Sequence, residues 1–150
     1  TSAHDSPFRP AHHTMALGVC LSLAAALQAP PVFVPVTRFT LAWTHSIERV
    51  RWEEDYAVLA NPQRPGHPRL LALRARVRGS GAGMEPPSDA KLRDGWYEYT
   101  PDFTSPAQLR LTRSEFTPDY DWCTEQGCQA LATLLASDGG VTLLEPCQPP

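Results

Sequence analysis

The sequence predicts an all-β fold of antiparallel strands, arranged as a β-sandwich or a barrel-like sheet in a single domain. Apolar and polar residues alternate with a period of two in several segments, the pattern of strands with one buried face. The 16 Pro residues fall at the chain ends and between these segments, where strand connections place them. We expect the centre of the sheet at 38–47, 52–60 and 69–78, with shorter strands at 95–99, 108–113 and 141–144.

Two of these segments also predict which side chains are buried. In 38–47 the apolar face carries Phe39, Leu41, Trp43, His45 and Ile47. In 69–78 the same alternation sets Leu71, Leu73, Ala75 and Val77 against three arginines. The segment 128–136 is the exception, because the spacing of its leucines allows a short helix as well as a strand.

Composition limits the class of protein. A chain of 150 residues is long enough to bury one hydrophobic core. The net charge is −3 and the 13 Lys and Arg residues are scattered without a basic block. This charge gives no reason to expect nucleic acid or an anionic membrane surface as a partner.

The N-terminal part has the pattern of an export signal. Residues 15–26 are almost all apolar or small, which is too short to span a bilayer comfortably. Ala24, Ala25 and Ala26 are the small residues that a signal peptidase needs. We therefore predict a signal peptide region over 1–26 and an exported β-rich domain over 27–150. A buried helix or an uncleaved anchor is the alternative.

The four cysteines agree with export. Cys123 and Cys128 flank a four-residue segment that ends in Gly127, which suits a tight turn. In an oxidising compartment this pair predicts a disulfide. If the signal is removed, Cys20 leaves with it, and Cys147 is then expected to be free or to pair with another molecule.

Polar residues cluster where the first two predicted strands meet. A hairpin that pairs Trp43 with Tyr56 and Leu41 with Val58 would keep the apolar faces together. The same register would set His45 opposite Glu54, within hydrogen-bonding reach across the strands. The carboxylate would then raise the proton affinity of the imidazole.

Catalytic and metal chemistry are the less favoured interpretations of this cluster. His45 and Ser46 are neighbours on a strand and point to opposite faces, so a triad would need another serine such as Ser80. A metal site would need a third ligand, and only His67 remains in the body of the chain. We therefore predict no catalytic set, no metal and no cofactor.

The sequence resembles the bacterial family called domain of unknown function 1850. Three features carry the resemblance: Phe-x-Leu-x-Trp-x-His-Ser-Ile-Glu at 39–48, an acidic residue about nine positions after the histidine, and Gly-Ala-Gly-Met at 81–84. The adjacent Glu53 and Glu54 leave the identity of the key acid open. The resemblance covers about 37–145 and places binding residues for a ligand or partner at His45, Ser46, Glu48, Glu54, Gly81, Ala82 and Gly83.

The resemblance also implies a setting. It implies a small exported protein, periplasmic or membrane-tethered if its signal is uncleaved, often encoded beside membrane subunits of tripartite (TRAP-type) solute transporters of the TAXI class. We therefore expect a non-enzymatic accessory protein that contacts the transporter's membrane or solute-binding subunits. A small-molecule ligand is also possible. The alternative is a hydrolase-like or metal-dependent enzyme that uses His45 with Glu54 or Glu53.

Overall fold

The computed structural model describes residues 16–44, 49–78, 89–102 and 104–150. Within these ranges the chain forms strands and two short 3-10 turns, so the all-β prediction is confirmed. No helix in the described ranges is long and apolar enough to cross a membrane. The strands are β1 Gly18–Leu23, β2 Val32–Val34, β3 Arg38–Thr44, β4 Arg51–Leu59, β5 Arg69–Arg78, β6 Lys91–Arg93, β7 Trp96–Tyr99, β8 Leu109–Thr112, β9 Asp121–Thr124, β10 Gly127–Ala130 and β11 Val141–Cys147.

The strands form two antiparallel sheets that pack like a sandwich. Sheet A has the order β2-β1-β11-β8, and sheet B has the order β10-β9-β3-β4-β5-β7-β6. The predicted central strands β3, β4 and β5 do lie at the centre of sheet B. One core joins the sheets, with Val19, Leu21 and Leu144 from sheet A against Phe39, Leu41, Val58, Leu70 and Trp122 from sheet B.

Alternation gives sheet B an inner face toward sheet A and an outer face away from it. On β3 the inner residues Phe39 and Leu41 are buried, as predicted. On β5 the prediction is wrong in its first half, because Leu70 and Ala72 are buried instead of Leu71 and Leu73. The cause is a bulge: Asp55 pairs with Arg74 but Tyr56 pairs with Ala72, so one extra residue shifts the alternation.

The predicted register of the first hairpin is also wrong. Trp43 pairs with Trp52 and not with Tyr56, which pairs with Phe39. Leu41 pairs with Glu54 and not with Val58. The predicted and observed registers differ by four residues, and an even shift keeps every side chain on the same face. The apolar pattern therefore determined the face of each residue but not its partner.

The segment expected to belong to the signal peptide contributes a strand to the core. β1 lies between β2 and β11, and Val19 and Leu21 are completely buried. A side chain at Gly18 would collide with the Val34 carbonyl oxygen, so the start of β1 requires glycine. Export remains a prediction, but cleavage after Ala26 would remove β1 from this fold.

A disulfide joins the two ends of the described chain. Cys20 on β1 is bonded to Cys147 on β11. Cys147 is therefore paired where Cys20 is retained, and the expectation of an unpaired Cys147 applies to a chain from which Cys20 has been removed. The two residues lie on adjacent antiparallel strands of sheet A. The sequence argument missed this pair because it assigned Cys20 to a removable segment.

The second disulfide agrees with the prediction. Cys123 and Cys128 are directly opposite each other in the β9-β10 hairpin and are bonded. The segment 128–136, for which the sequence allowed a helix or a strand, contains both. Residues 127–130 form β10, and Leu131–Thr133 form a single 3-10 turn.

A buried arginine ties the loops at one end of the sandwich together. The Arg113 guanidinium is almost inaccessible and donates to both carboxylate oxygens of Asp119, at 3.1 Å each. It also donates to the Leu135 carbonyl at 2.8 Å and to Thr142 Oγ1 at 3.1 Å. Each partner lies on a different segment, and this buried charge is paired and hydrogen-bonded as burial requires.

Candidate functional site

Two sequence motifs carry the family resemblance, at 39–48 and at 81–84. The described strands that lead into these motifs end at the same end of sheet B. β3 ends at Thr44, β4 begins at Arg51, and β5 ends at Arg78. Because Trp52 pairs with Val77, these three chain positions lie side by side. His45, Ser46 and Glu48 lie outside the described residues, as do Gly81, Ala82 and Gly83. Glu54 is the one predicted binding residue that the structure describes.

Glu54 does not have the strand partner that the sequence argument assigned to it. It pairs with Leu41 on β3 and with Ala75 on β5. The predicted opposition of His45 and Glu54 is therefore wrong as a register. Glu54 nevertheless lies on the inner face, as the alternation predicted, and its side chain is half-buried there.

The carboxylate of Glu54 lies among tyrosines. Tyr56 Oη donates a hydrogen bond of 2.6 Å to Glu54 Oε1. Burial, together with the negative charge and hydrogen bond of Glu54, raises the pKa of Tyr56 well above its usual value. Burial and the Glu54 charge also raise the pKa values of Tyr99 and Tyr120. All three hydroxyls therefore remain protonated at neutral pH and can act as donors.

Two tryptophans extend this group toward the end of the sheet. The rings of Trp43 and Trp52 are parallel within 4°, with centroids 6.2 Å apart. Tyr120 packs at an angle on Trp43 at 5.8 Å. These are ordinary separations for interacting aromatic rings. We call the set of Glu54, Tyr56, Tyr99, Tyr120, Trp43 and Trp52 the Glu54 cluster.

Most members of the Glu54 cluster are partly exposed on the inner face, whereas Tyr56 is buried. Phe39 and Leu41, nearer the middle of β3, are buried in the shared core. Trp43, Trp52 and Tyr99 are only half-buried. Ala75 and Val77, which pair with Glu54 and Trp52 on this face, are almost inaccessible. The inner face therefore stays largely covered here, and the side chains of Glu54, Trp43, Trp52 and Tyr99 are its partly exposed members.

Glu53 has a different environment on the outer face. Its two oxygens accept hydrogen bonds from Arg51 Nε at 2.9 Å and Arg76 Nε at 2.8 Å. Arg51 also reaches Asp121 on β9 at 3.0 Å. Adjacent residues on a strand point to opposite faces, which is why the two neighbouring glutamates are separated. The resulting network of charges crosses the outer face of sheet B.

Asp55 continues the same network. Arg76 Nη1 donates to Asp55 Oδ2 at 2.9 Å, and Thr40 Oγ1 donates to Asp55 Oδ1 at 2.6 Å. Burial acts to raise the pKa of Asp55, but the hydrogen bonds and positive charge of Arg76, with the Thr40 bond, outweigh it and lower that pKa. The outer network is therefore a set of satisfied ion pairs, whereas Glu54 faces aromatic rings.

A cleft of about 780 Å³ lies beside the β2-β3 connection and the β9-β10 hairpin. Its lining includes Thr40, Asp55 and Arg76 from the outer network, together with Tyr56. The cleft does not include Glu54, and Tyr56 is the one residue that the cleft shares with the Glu54 cluster. Among the described residues, no group of three or more His, Cys, Asp or Glu side chains is arranged to hold a metal ion.

Sequence reasoning missed most of the Glu54 cluster. Tyr99 and Tyr120 are not among the binding residues that the sequence predicted. The alternation of 95–99 does place Tyr99 on a strand face, but nothing in the sequence indicates that β7 lies next to β5. Tyr120 precedes β9, a strand that the periodicity did not predict.

Comparison with known families decides the relationship. The family model described as "Domain of unknown function (DUF1850)" matches residues 39–131. The chain belongs to this DUF1850 family. The match begins at the second residue of β3 and ends at the turn after β10, so the family region of this DUF1850 protein contains all of sheet B except Arg38. No curated protein and no solved structure matches the chain.

Proposed function

We propose that this DUF1850 protein is an exported, non-enzymatic accessory domain of a TRAP-type solute transporter of the TAXI class. The Glu54 cluster would be the surface that binds a partner or ligand. The observation that carries the proposal is a half-buried carboxylate and accessible aromatic rings on the face that a sandwich ordinarily buries.

The chemistry of the cluster favours recognition over catalysis. A general base works best with a pKa near the operating pH. The pKa values of Tyr56, Tyr99 and Tyr120 are instead raised from an ordinary value of 10.0. Their hydroxyls therefore serve as neutral hydrogen-bond donors beside flat apolar rings. Aromatic residues of this kind are enriched in the binding centres of interfaces.

The disulfides support the exported setting. Cys20–Cys147 and Cys123–Cys128 account for all four cysteines. Stable disulfides form in the periplasm or outside the cell and are rare in the cytosol. The proposed location is periplasmic, or membrane-tethered if the export signal is uncleaved.

The proposed partner comes from the family resemblance. The genes of similar proteins often accompany TRAP transporter membrane subunits, so those subunits or the associated solute-binding protein are the expected partners. Affinity capture from membranes that contain the transporter, with the domain as bait, tests this directly. Mass spectrometry should identify a TRAP membrane or solute-binding subunit among the captured proteins.

A matched pair of variants locates the contact. Glu54→Gln removes the charge of the cluster, whereas Glu98→Gln removes a carboxylate from the outer face of the same sheet. We expect capture to fall at least tenfold with Glu54→Gln and to stay unchanged with Glu98→Gln. Capture of no TRAP subunit, or equal capture by both variants, would refute the assignment.

A further inference from the structure

We infer that the Glu54 cluster binds a small organic cation, with an ammonium or guanidinium group held against the Glu54 carboxylate and the neighbouring aromatic rings. This inference rests on the proposed function, because it names a ligand for the surface proposed above. It adds a chemical class that neither the family nor the fold supplies.

The first step is the charge of the cluster. Glu54 is the one carboxylate among its six members, and its nearest described polar contact is the neutral Tyr56 hydroxyl. Glu53, the adjacent residue, is by contrast balanced by Arg51 and Arg76 on the outer face. The cluster therefore presents a negative charge on a half-buried surface, and a cation can compensate it.

The second step is the nature of the surrounding surface. The π faces of tryptophan and tyrosine attract cations, and the attraction grows when the cation loses part of its water. Trp52 is two positions from Glu54 on the same face of β4, and Trp43 stacks on it. Tyr99 lies in the same row of paired residues as Glu54, and Tyr120 packs on Trp43 at 5.8 Å. The carboxylate and the rings thus favour the same sign of charge.

The third step is the spacing across the sheet. The paired residues Glu54, Ala75 and Tyr99 form one row across β4, β5 and β7. Ala75 in the middle of the row is almost inaccessible, so Glu54 and Tyr99 are the members that a ligand can contact. A partly exposed carboxylate with a phenol ring in the same row favours a compact cation over an anion.

The fourth step excludes the nearby cleft as the same site. The cleft beside the β9-β10 hairpin contains Arg76 already paired with Glu53 and Asp55. Asp55 in that cleft is thus paired with a positive charge, whereas the described hydrogen-bond partner of Glu54 is the neutral Tyr56 hydroxyl. Glu54 does not line the cleft.

Choline and its neutral isostere dimethylbutanol, in which carbon replaces the ammonium nitrogen, provide the test. Each is titrated into the purified full chain with its disulfides intact, and binding is followed by tryptophan fluorescence and calorimetry. The structure predicts that choline changes the fluorescence of the cluster and binds at least about tenfold more tightly than the isostere. Equal binding of the two compounds, or no binding of choline, would overturn the inference.

Two variants connect the binding to the carboxylate. Glu54→Gln should weaken choline binding about tenfold while its affinity for dimethylbutanol stays the same, and Glu98→Gln should bind as the parent does. Choline binding that is unaffected by Glu54→Gln would overturn the inference. The isostere comparison uses the unaltered protein, so it decides the question even if Glu54→Gln does not fold.

The outcomes also separate this inference from the proposed function. If choline binds but no transporter subunit is captured, the cation site is supported and the transporter role is refuted. If capture of a transporter subunit depends on Glu54 but choline does not bind, the transporter role is supported and the cation site is refuted.

Discussion

Glu53 and Glu54 differ in what surrounds their carboxylates. Glu53 forms ion pairs with Arg51 and Arg76, whereas Glu54 accepts a hydrogen bond from Tyr56 among half-buried aromatic rings. The first arrangement stabilises the outer face of the sheet and satisfies its own charges. The second leaves a charge facing an accessible surface, and this difference makes Glu54 the candidate binding residue.

The tyrosines around Glu54 provide a direct measure of its charge. Tyr56, Tyr99 and Tyr120 have raised pKa values, with burial as the largest cause and the Glu54 charge as a further one. Glu54→Gln removes that charge, so the alkaline titration of tyrosine absorbance should move to lower pH. Glu98→Gln is the control and should not move it. An unchanged titration in Glu54→Gln would place the carboxylate away from the hydroxyls.

The raised pKa values of these tyrosines also predict how the stability of the fold changes with pH. A group whose pKa is higher in the folded than in the unfolded chain contributes stability below its unfolded value, which is lost as the pH rises through the folded value. For these tyrosines the loss begins above pH 10. It should be less steep in Glu54→Gln than in the parent.

Asp55 affects stability at the opposite, acid end of the pH range. Its pKa is lower in the folded chain than the ordinary 3.8 because the bonds from Arg76 and Thr40 outweigh the effect of burial. Its contribution to the free energy of unfolding is therefore present above about pH 4 and is lost as the pH falls through the folded value. Asp55→Asn should flatten the acid side of the stability curve, measured by urea unfolding from pH 2 to pH 6. Equal acid slopes for the parent and Asp55→Asn would contradict the ion pair with Arg76.

At the scale of elements, periodicity predicted β3, β4, β5 and β7 of sheet B and β8 and β11 of sheet A. It missed β1 and β2 of sheet A and β6 and β9 of sheet B. β3, β4 and β5 have long alternating runs, so periodicity located each of them within a few residues. β1 and β2 are continuous or very short apolar segments, which periodicity cannot separate from a signal sequence. β9 and β10 are only four residues each, although the segment between Cys123 and Cys128 suits a tight turn.

The site was harder to predict than the strands. Alternation correctly placed Glu54 on the inner face, because the face depends only on the parity of the position. The pairing of Glu54 with Leu41 depends on the exact register of β3 and β4, which the sequence did not determine. Tyr99 and Tyr120 join the cluster through the strand order, and no local pattern encodes that order.

The two disulfides should differ in their effect on stability. Cys20–Cys147 closes a separation of 127 residues and Cys123–Cys128 a separation of 5. A longer loop loses more entropy in the cross-linked unfolded chain, which gives about 4–5 kcal/mol for the first and about 2 kcal/mol for the second. Denaturant unfolding of Cys147→Ser and Cys128→Ser should show this order. A larger loss in Cys128→Ser would contradict the role of the terminal bridge.

β1 should be required for folding. It buries Val19 and Leu21 completely, each worth about 1.5–3 kcal/mol, and it carries Cys20. A chain that begins at residue 27 should therefore lose cooperative unfolding, measured by circular dichroism. A chain that begins at Ala16 keeps β1 and is the matched control. Native-like unfolding of the shorter chain would show that β1 is dispensable and would revive cleavage after Ala26.

At the scale of the whole molecule, the two sheets have different relationships to the family. The match over 39–131 contains sheet B, except Arg38, and β8, whereas β1, β2 and β11 lie outside it. Val19, Leu21 and Leu144 of these strands are part of the shared core. Trp43, Trp52 and Tyr99 on the inner face of sheet B are partly exposed. The molecule therefore combines a closed core, a charged outer face and one partly exposed aromatic end.

Site-specific photo-crosslinking in membranes that contain the transporter tests most directly whether the aromatic end is the binding surface. Benzoylphenylalanine is placed at position 52 within the Glu54 cluster and, as the control, at position 74 on the outer face, where Arg74 is exposed. We predict a crosslink to a TRAP membrane or solute-binding subunit from position 52 and none from position 74. A crosslink from position 74 alone, or from neither position, would contradict the proposed role of the Glu54 cluster.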